Sequence, residues 1–145
     1  MPVVDASVVV DWVAPDSDAT GAARLLLARL ARDDETISAP RLMLEEVSNA
    51  LLTGVRRHRW DGAAVDEAFE RLRLLPVDVD DARADLDRAW ELSRRYDEHP
   101  VYDMLYVALA ERLGEPLITA DARLSRKLAA RGSVHALGDA GPSPV

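Results

Sequence analysis

The sequence predicts an α/β fold in which helices surround a mostly parallel sheet of about four to five short strands. Short β-branched runs alternate along the chain with longer stretches of helical periodicity, which is typical of strand–helix–strand units. The 145 residues correspond to one domain of ordinary size, and 48% of them are hydrophobic, enough for a sizeable core. Helical crossovers between successive strands favour parallel pairing.

Short apolar runs that stop at a turn residue predict the strands. The first, Val3-Val4, stops at Asp5, and the second stops at Pro40. A later run stops just before Asp121, so two acids directly follow predicted strands. The strand candidates, in chain order, are residues 3–4, 37–39, 76–79, 116–119 and 134–137.

Apolar residues at spacings of three and four predict the helices. Residues 40–57 carry one apolar stripe and have proline in the first turn, while Glu46, Asn49 and Thr53 lie on the opposite stripe. The acids at 80–81 suit the start of another helix, where they complement its dipole. The helix candidates are residues 7–13, 18–32, 40–57, 62–75, 80–96, 101–113 with Gly114 as C-cap, and 123–131.

The stretch 101–110 is almost entirely apolar, yet it carries Asp103. It is shorter than the roughly 20 apolar residues of a membrane span, so we expect a helix packed on most sides in a core. A carboxylate in such surroundings needs a partner or the rim of a cleft. No lysine partner is evident, because the only lysine of the chain is Lys127.

Composition excludes several kinds of site. The chain has no cysteine, which rules out disulfides and thiolate metal ligands and fits a reducing compartment, so we expect a cytoplasmic protein. The N-terminus has no signal-peptide pattern. A net charge of −8 argues against nucleic-acid binding by bulk charge but allows a local basic patch.

Asp5, Glu46, Asp103 and Asp121 are predicted to converge on one cleft beyond the carboxyl ends of the strands. Two charges about 5 Å apart repel by roughly 3 kcal/mol at an effective dielectric constant of about 20, so such a group calls for a cation. With oxygen ligands alone, the fitting ions are Mg²⁺ and Mn²⁺, whose bound waters suit phosphodiester hydrolysis.

Each acid also has a plainer interpretation. Asp5 and Asp121 can simply cap helices, Glu46 can face solvent, and Asp103 can be an ion-paired or rim acid. No histidine or cysteine nucleophile is expected beside them.

Four segments together resemble the ordered motifs of PIN domains. They are 3–8 with Asp5, 40–51 with Glu46 ahead of Val-x-Asn-x-Leu, 101–110 with Asp103, and 117–124 with Thr119 and Asp121. The resemblance runs from residue 3 to about 137. In length and motif style it is most similar to the VapC ribonuclease toxins of toxin–antitoxin pairs.

This resemblance implies a three-layer α/β/α PIN-like domain over residues 1–137, followed by a loose tail at 138–145. It implies endoribonuclease activity dependent on Mg²⁺ or Mn²⁺, with Ser7 and Thr119 supporting the metal site or contacting a phosphate. The implied partners are an RNA substrate, an antitoxin protein and a second copy of the chain in a homodimer, without a membrane. The residues implied as catalytic and metal-binding are Asp5, Glu46, Asp103 and Asp121.

Three alternatives stay open on sequence alone. The chain can be a PIN nuclease that is not a toxin, or a PIN-fold interaction scaffold without catalysis. Phosphoaspartyl chemistry is a third, but the motif after the first strand is Asp5-Ala6-Ser7 rather than Asp-x-Asp. Such enzymes also need a lysine near the site, and Lys127 is expected to lie away from it.

Overall fold

A computed structural model of the protein describes residues 1–137 and contains one sheet of five strands, all parallel. The predicted tail, 138–145, lies outside the described residues. The order across the sheet is β3-β2-β1-β4-β5. The strands are β1 (Val3–Val4), β2 (Ile37–Pro40), β3 (Val77–Asp80), β4 (Leu117–Thr119) and β5 (Val134–Ala136).

Helices flank this sheet, which confirms the predicted α/β architecture with three layers. In the described part of the chain they are α1 (Ala6–Val13), α2 (Ala22–Arg32), α3 (Leu42–Arg56), α4 (Gly62–Leu74), α5 (Arg83–Arg95), α6 (Val101–Leu113) and α7 (Ala122–Lys127), followed by a 3-10 turn at Ala129–Arg131.

The centre of the sheet is the centre of the core. Val3 and Val4 are fully buried, and Val3 pairs with Ser38 of β2 on one side and Leu117 of β4 on the other. Helix α6 lies against β1, β2 and β4 and packs along α5, while α1 contacts α2, α3 and α4. This arrangement places the carboxyl ends of β1 and β4 side by side.

The prediction for α6 is confirmed at both ends and in its burial. Its side chains from Tyr106 to Ala110 are all buried, and Gly114 ends it in the left-handed conformation at φ 67°. Within residues 1–137, no helix combines the length and the apolarity that crossing a membrane requires.

Several predicted boundaries were wrong by a few residues. The second helix begins at Ala22 rather than residue 18, because Asp18 Oδ1 accepts bonds from the Thr20 N–H (2.9 Å) and hydroxyl (2.8 Å) and closes a local turn. Pro40 ends β2 instead of opening α3, at a point where the next residue, Arg41, donates its N–H to the Asp80 carbonyl (2.9 Å).

Two further boundaries differ for related reasons. Because β3 continues through Asp80, α5 begins only at Arg83. The helix predicted over 123–131 is divided, since α7 ends at Lys127 and the 3-10 turn follows.

Candidate active site

Asp5 lies where β1 passes into α1, and its carboxylate is almost entirely enclosed, with 7% of the residue exposed. Its Oδ1 caps α1 by accepting bonds from the backbone N–H of Ser7 (3.0 Å) and Val8 (3.4 Å). The hydroxyls of Ser7 and Thr119 also donate to it. Burial raises the pKa of Asp5, and these four hydrogen bonds oppose that rise.

Two hydroxyls connect Asp5 to the neighbouring strand. Thr119, the buried last residue of β4, donates to Asp5 Oδ2 and accepts a bond from the Asp121 N–H (2.9 Å). Ser7 donates to Asp5 Oδ1 and accepts from the Ala120 N–H (3.0 Å). Both residues therefore contact Asp5 and fix the orientation of its carboxylate between the adjacent ends of β1 and β4.

Glu46, on α3, is half-buried, and its Oε1 accepts a hydrogen bond from the Tyr106 hydroxyl at 3.4 Å. Burial and the negative charges of Asp103 and Asp5 raise the pKa of Glu46 to about 7, although the tyrosine bond acts in the opposite direction. Burial and the same crowding by Glu46 and Asp5 raise the pKa of Tyr106. Glu46 thus lies close enough to both Asp103 and Asp5 for their charges to raise its pKa.

The adjacent Glu45 points elsewhere. It forms an ion pair with Arg41 (3.1 Å) in which both side chains are more than half exposed. The register of α3 therefore turns Glu46, and not Glu45, toward the other acids.

Asp121 is only indirectly part of this group. Its Oδ1 caps α7 by accepting from the N–H of Arg123 (2.8 Å) and Leu124 (3.2 Å). It reaches Asp5 through the shared Thr119 hydroxyl, but it is not among the charges that shift Glu46. The plain capping role considered for Asp121 is the one its carboxylate has in this structure.

Asp103 has a partner that sequence reasoning missed. His99 Nε2 lies 2.6 Å from Asp103 Oδ2, and the Lys127 ammonium lies 3.2 Å from His99 Nδ1. The expectations that no histidine stands beside these acids and that Lys127 lies away from the site were therefore wrong. The spacing of four residues between His99 and Asp103 was an available signal; Lys127 gave none, since only tertiary packing brings it here.

Comparison with known proteins places this arrangement in a family. The model of the PIN domain matches residues 3–128. The chain belongs to the PIN-domain family. It is 43% identical over 136 residues to ribonuclease VapC3 of Mycobacterium tuberculosis, covering 94% of this chain and 91% of that protein.

Solved structures show the same PIN-type fold. PAE2754 from Pyrobaculum aerophilum superposes with a TM-score of 0.68 at 23% identity, over 94% of this chain and 83% of that one. A chain from a toxin–antitoxin complex of Klebsiella pneumoniae gives a TM-score of 0.62 at 16% identity, over 94% and 98%. At these identities the likeness concerns the fold alone. Membership of the PIN family removes the basis for the phosphoaspartyl alternative.

The donor set of this PIN-domain site suits a hard divalent cation, because every candidate ligand is a carboxylate oxygen. Within residues 1–137, however, no three acidic or histidine side chains form a ready-made metal-binding group. Three of these acids have other partners in this structure: Asp103 bonds His99, Asp121 caps α7, and Glu46 accepts a bond from Tyr106.

A separate concavity of about 370 Å³ lies elsewhere on the PIN domain. It is formed by the end of α1, the turn after it and the connection between α3 and α4, where Arg59 stacks 4.5 Å over the Trp60 ring and pairs with Asp16 at 3.0 Å. None of the four predicted acids lines it. The candidate site is therefore defined by its crowded carboxylates and not by this concavity.

Proposed function

We propose that this chain is a metal-dependent endoribonuclease acting as the toxin of a toxin–antitoxin pair. The observation that carries the proposal is the crowding of Asp5, Glu46 and Asp103, where burial and then the charges of Asp103 and Asp5 raise the pKa of Glu46 to about 7. A protein keeps such mutually repelling acids together at a cost in stability, and a functional site with a cation accounts for it. The relative named ribonuclease VapC3 supports the reaction class.

In this proposal Asp5, Glu46 and Asp103 hold Mg²⁺ or Mn²⁺, and Asp121 supplies a fourth carboxylate from the start of α7. A cation so bound lowers the pKa of its water and offsets negative charge on the phosphodiester. Ser7 and Thr119 keep the Asp5 carboxylate oriented by their hydroxyl bonds.

The partners follow from the same assignment. Arg123 and Arg126, exposed on α7 beside Asp121, are placed to contact RNA phosphates without selecting a base sequence. A small antitoxin protein that covers the site is the expected inhibitor, in keeping with the name of the Klebsiella complex. The homodimer and the cytoplasmic location stay predictions.

The test is cleavage of a pool of structured RNAs by protein that has been denatured, purified and refolded to remove any bound inhibitor. Reactions contain Mn²⁺, Mg²⁺ or EDTA. We expect cleavage with either metal, none with EDTA, and a loss of at least ~100-fold in Asp5→Asn. Asparagine is also a good N-cap, so this variant should keep its fold by circular dichroism.

Asp11→Asn is the matched control, because it makes the same change further along α1 on an exposed side chain. It should cleave like the unchanged protein. If the refolded protein neither cleaves RNA nor binds Mn²⁺ in calorimetry, the nuclease assignment fails and the interaction-scaffold alternative gains support. Cleavage retained in folded Asp5→Asn would remove Asp5 from the proposed site.

A further inference from the structure

We propose that His99 is a positioning residue for Asp103 and that Lys127 holds the imidazole in place from its other nitrogen. The inference rests on the proposed function, in which Asp103 is a metal ligand. Three side chains form a relay: the Lys127 ammonium is 3.2 Å from His99 Nδ1, and His99 Nε2 is 2.6 Å from Asp103 Oδ2. Lys127 is the only lysine among the 18 basic residues of the chain.

The chemistry of the two ends fixes the direction of both hydrogen bonds. A lysine ammonium has donors and no acceptor, and an ionised carboxylate has acceptors and no donor. His99 Nδ1 must therefore accept from Lys127, and Nε2 must donate to Asp103. The imidazole is the Nε2–H tautomer, with each nitrogen assigned by its partner.

The backbone before α6 is built to hold this histidine. Asp97 and Glu98 both have left-handed conformations, at φ 56° and 51°, which non-glycine residues seldom adopt once and rarely twice in succession. The turn is closed by the His99 N–H donating to the Tyr96 carbonyl (3.2 Å), and Glu98 is tied back to Arg94 (2.9 Å). His99 is thus delivered to its position immediately before the helix that carries Asp103.

The relay has a defined effect on the carboxylate. Its bond occupies Oδ2 of Asp103 and stops rotation of a side chain that is otherwise 35% exposed, leaving the lone pairs of Oδ1 for another partner. Because Lys127 ends α7 and Asp121 begins it, the relay also joins the two helices that carry Asp103 and Asp121. Partners of this kind typically raise the affinity of a metal ligand by fixing its orientation.

Two substitutions of His99 test whether Asp103 needs a donor at the place of Nε2. One variant keeps a donor there, and the other keeps a polar group only at the place of Nδ1. The amide of His99→Gln can reach the place of Nε2 and donate to Asp103, whereas the shorter His99→Asn reaches only the place of Nδ1. We expect Mn²⁺ affinity, measured by calorimetry, to fall about 10–100-fold in His99→Asn and to stay within about threefold in His99→Gln. His58→Asn, at an exposed left-handed position, is the control for the asparagine change.

A second readout needs neither metal nor RNA. Two-bond ¹H–¹⁵N spectra of histidine-labelled protein report the tautomer, and the chain has only three histidines to assign. We expect His99 as the Nε2–H form in the unchanged protein and in Lys127→Arg, which keeps a donor. Lys127→Met should keep the Nε2–H form, because Asp103 still requires a donor, but the ¹⁵N resonance of Nδ1 should shift once the lysine no longer donates to that nitrogen.

The outcomes are distinguishable from those of the nuclease test. An Nδ1–H form in the unchanged protein, an unaltered Nδ1 resonance in Lys127→Met, or equal Mn²⁺ affinity in His99→Asn and His99→Gln would each overturn the proposal. If the protein binds no Mn²⁺ the proposed function fails, and the spectra alone then decide whether the relay exists. If His99→Asn does not fold, the comparison of Lys127→Met with Lys127→Arg still decides.

Discussion

Glu46 is the residue at which the charge crowding of the site has its clearest thermodynamic consequence. Burial and the neighbouring Asp103 and Asp5 raise its pKa from 4.5 to about 7. A carboxyl group that binds its proton more tightly in the folded state stabilises the fold fully below pH 4.5. That contribution is lost as the pH rises through 7.

We therefore expect Glu46→Gln to be more stable than the unchanged protein at pH 8 in EDTA, by about 2 kcal/mol after allowing for solvent screening of a partly exposed group. At pH 3.5 the difference should nearly vanish, because the glutamic acid is then largely protonated in both states. Urea denaturation at the two pH values measures this. Glu45→Gln, its exposed neighbour paired with Arg41, should show no such pH-dependent gain. A gain of equal size at both pH values would contradict the assignment.

At the level of single residues, the sequence identified which acids stand in unusual surroundings but not how each is used. Asp103 was noticed because its neighbours along the helix are apolar, and its effect on the pKa of Glu46 agrees with that observation. The cap formed by Asp121 and the bond from His99 depend on side-chain rotamers and on tertiary contacts, which periodicity does not contain.

At the scale of elements, the join of α3 and α4 shows a close approach that depends on glycine. Gly54 is buried in α3, and a Cβ placed there would lie 2.2 Å from Trp60 Cε3. Trp60 covers a small cluster separate from the main core, formed by Leu51, Val65 and Ala68 with Val55. The absence of a side chain at residue 54 is what lets the indole ring seat on this cluster.

Gly54→Ala should accordingly lower the free energy of unfolding by about 1–3 kcal/mol, because overpacking against Trp60 outweighs the helix propensity gained. Gly62→Ala is the matched control, since nothing lies within 4 Å of its Cβ and it opens α4. That variant should be neutral or slightly stabilised. Chemical denaturation followed by tryptophan fluorescence compares the two; stabilisation by both would show that the ring moves aside freely.

The presence of each helix and strand was easier to predict from the sequence than the residues at which it begins and ends. Periodicity, apolar runs and capping residues together predicted every helix of residues 1–137, and the burial of α6 followed from its apolar run. The prediction that Pro40 opens α3 was wrong because proline suits two positions. It fits the first turn of a helix, but it also fits the end of a strand, where its missing N–H is not needed. The sequence did not reveal the turn at Asp18, because aspartate is as typical of the start of a helix as it is of a turn.

At the scale of the whole molecule, an ion-pair network joins strand β3 of the sheet to helices α5 and α6. Arg112 of α6 bonds Asp85 of α5 (2.7 Å) and Asp80 at the end of β3 (2.7 Å). Asp85 lies in the first turn of α5, and the sequence gave no sign that it would be buried against an arginine 27 residues later.

Removing this arginine should leave the Asp85 carboxylate, whose side chain is 8% exposed, without its ion-pair partner. We expect Arg112→Ala to lose about 2–4 kcal/mol of stability in urea denaturation, and Asp85→Asn in the same chain to restore part of it by removing the buried charge. Arg73→Ala breaks a pair with Glu70 in which both side chains are more than 60% exposed, and should cost ~0.5 kcal/mol. Equal losses in the two arginine variants would mean that burial of Asp85 is not what matters.

The order of strands across the sheet was beyond reach of the sequence, although their parallel direction was not. Alternation of strands and helices fixes direction and handedness locally. Which strand lies beside which depends on how helices share the two faces, and here the first strand takes the middle place.

That middle place has a consequence for how the chain is made on the ribosome. Asp5 is translated 114 positions before its Thr119 partner, which comes with the second sheet neighbour of β1. Contacts so distant along the chain form late in folding. The proposed ribonuclease therefore cannot assemble its acids until the ribosome has passed β4, so no cutting site exists while the residues between β1 and β4 are still being made.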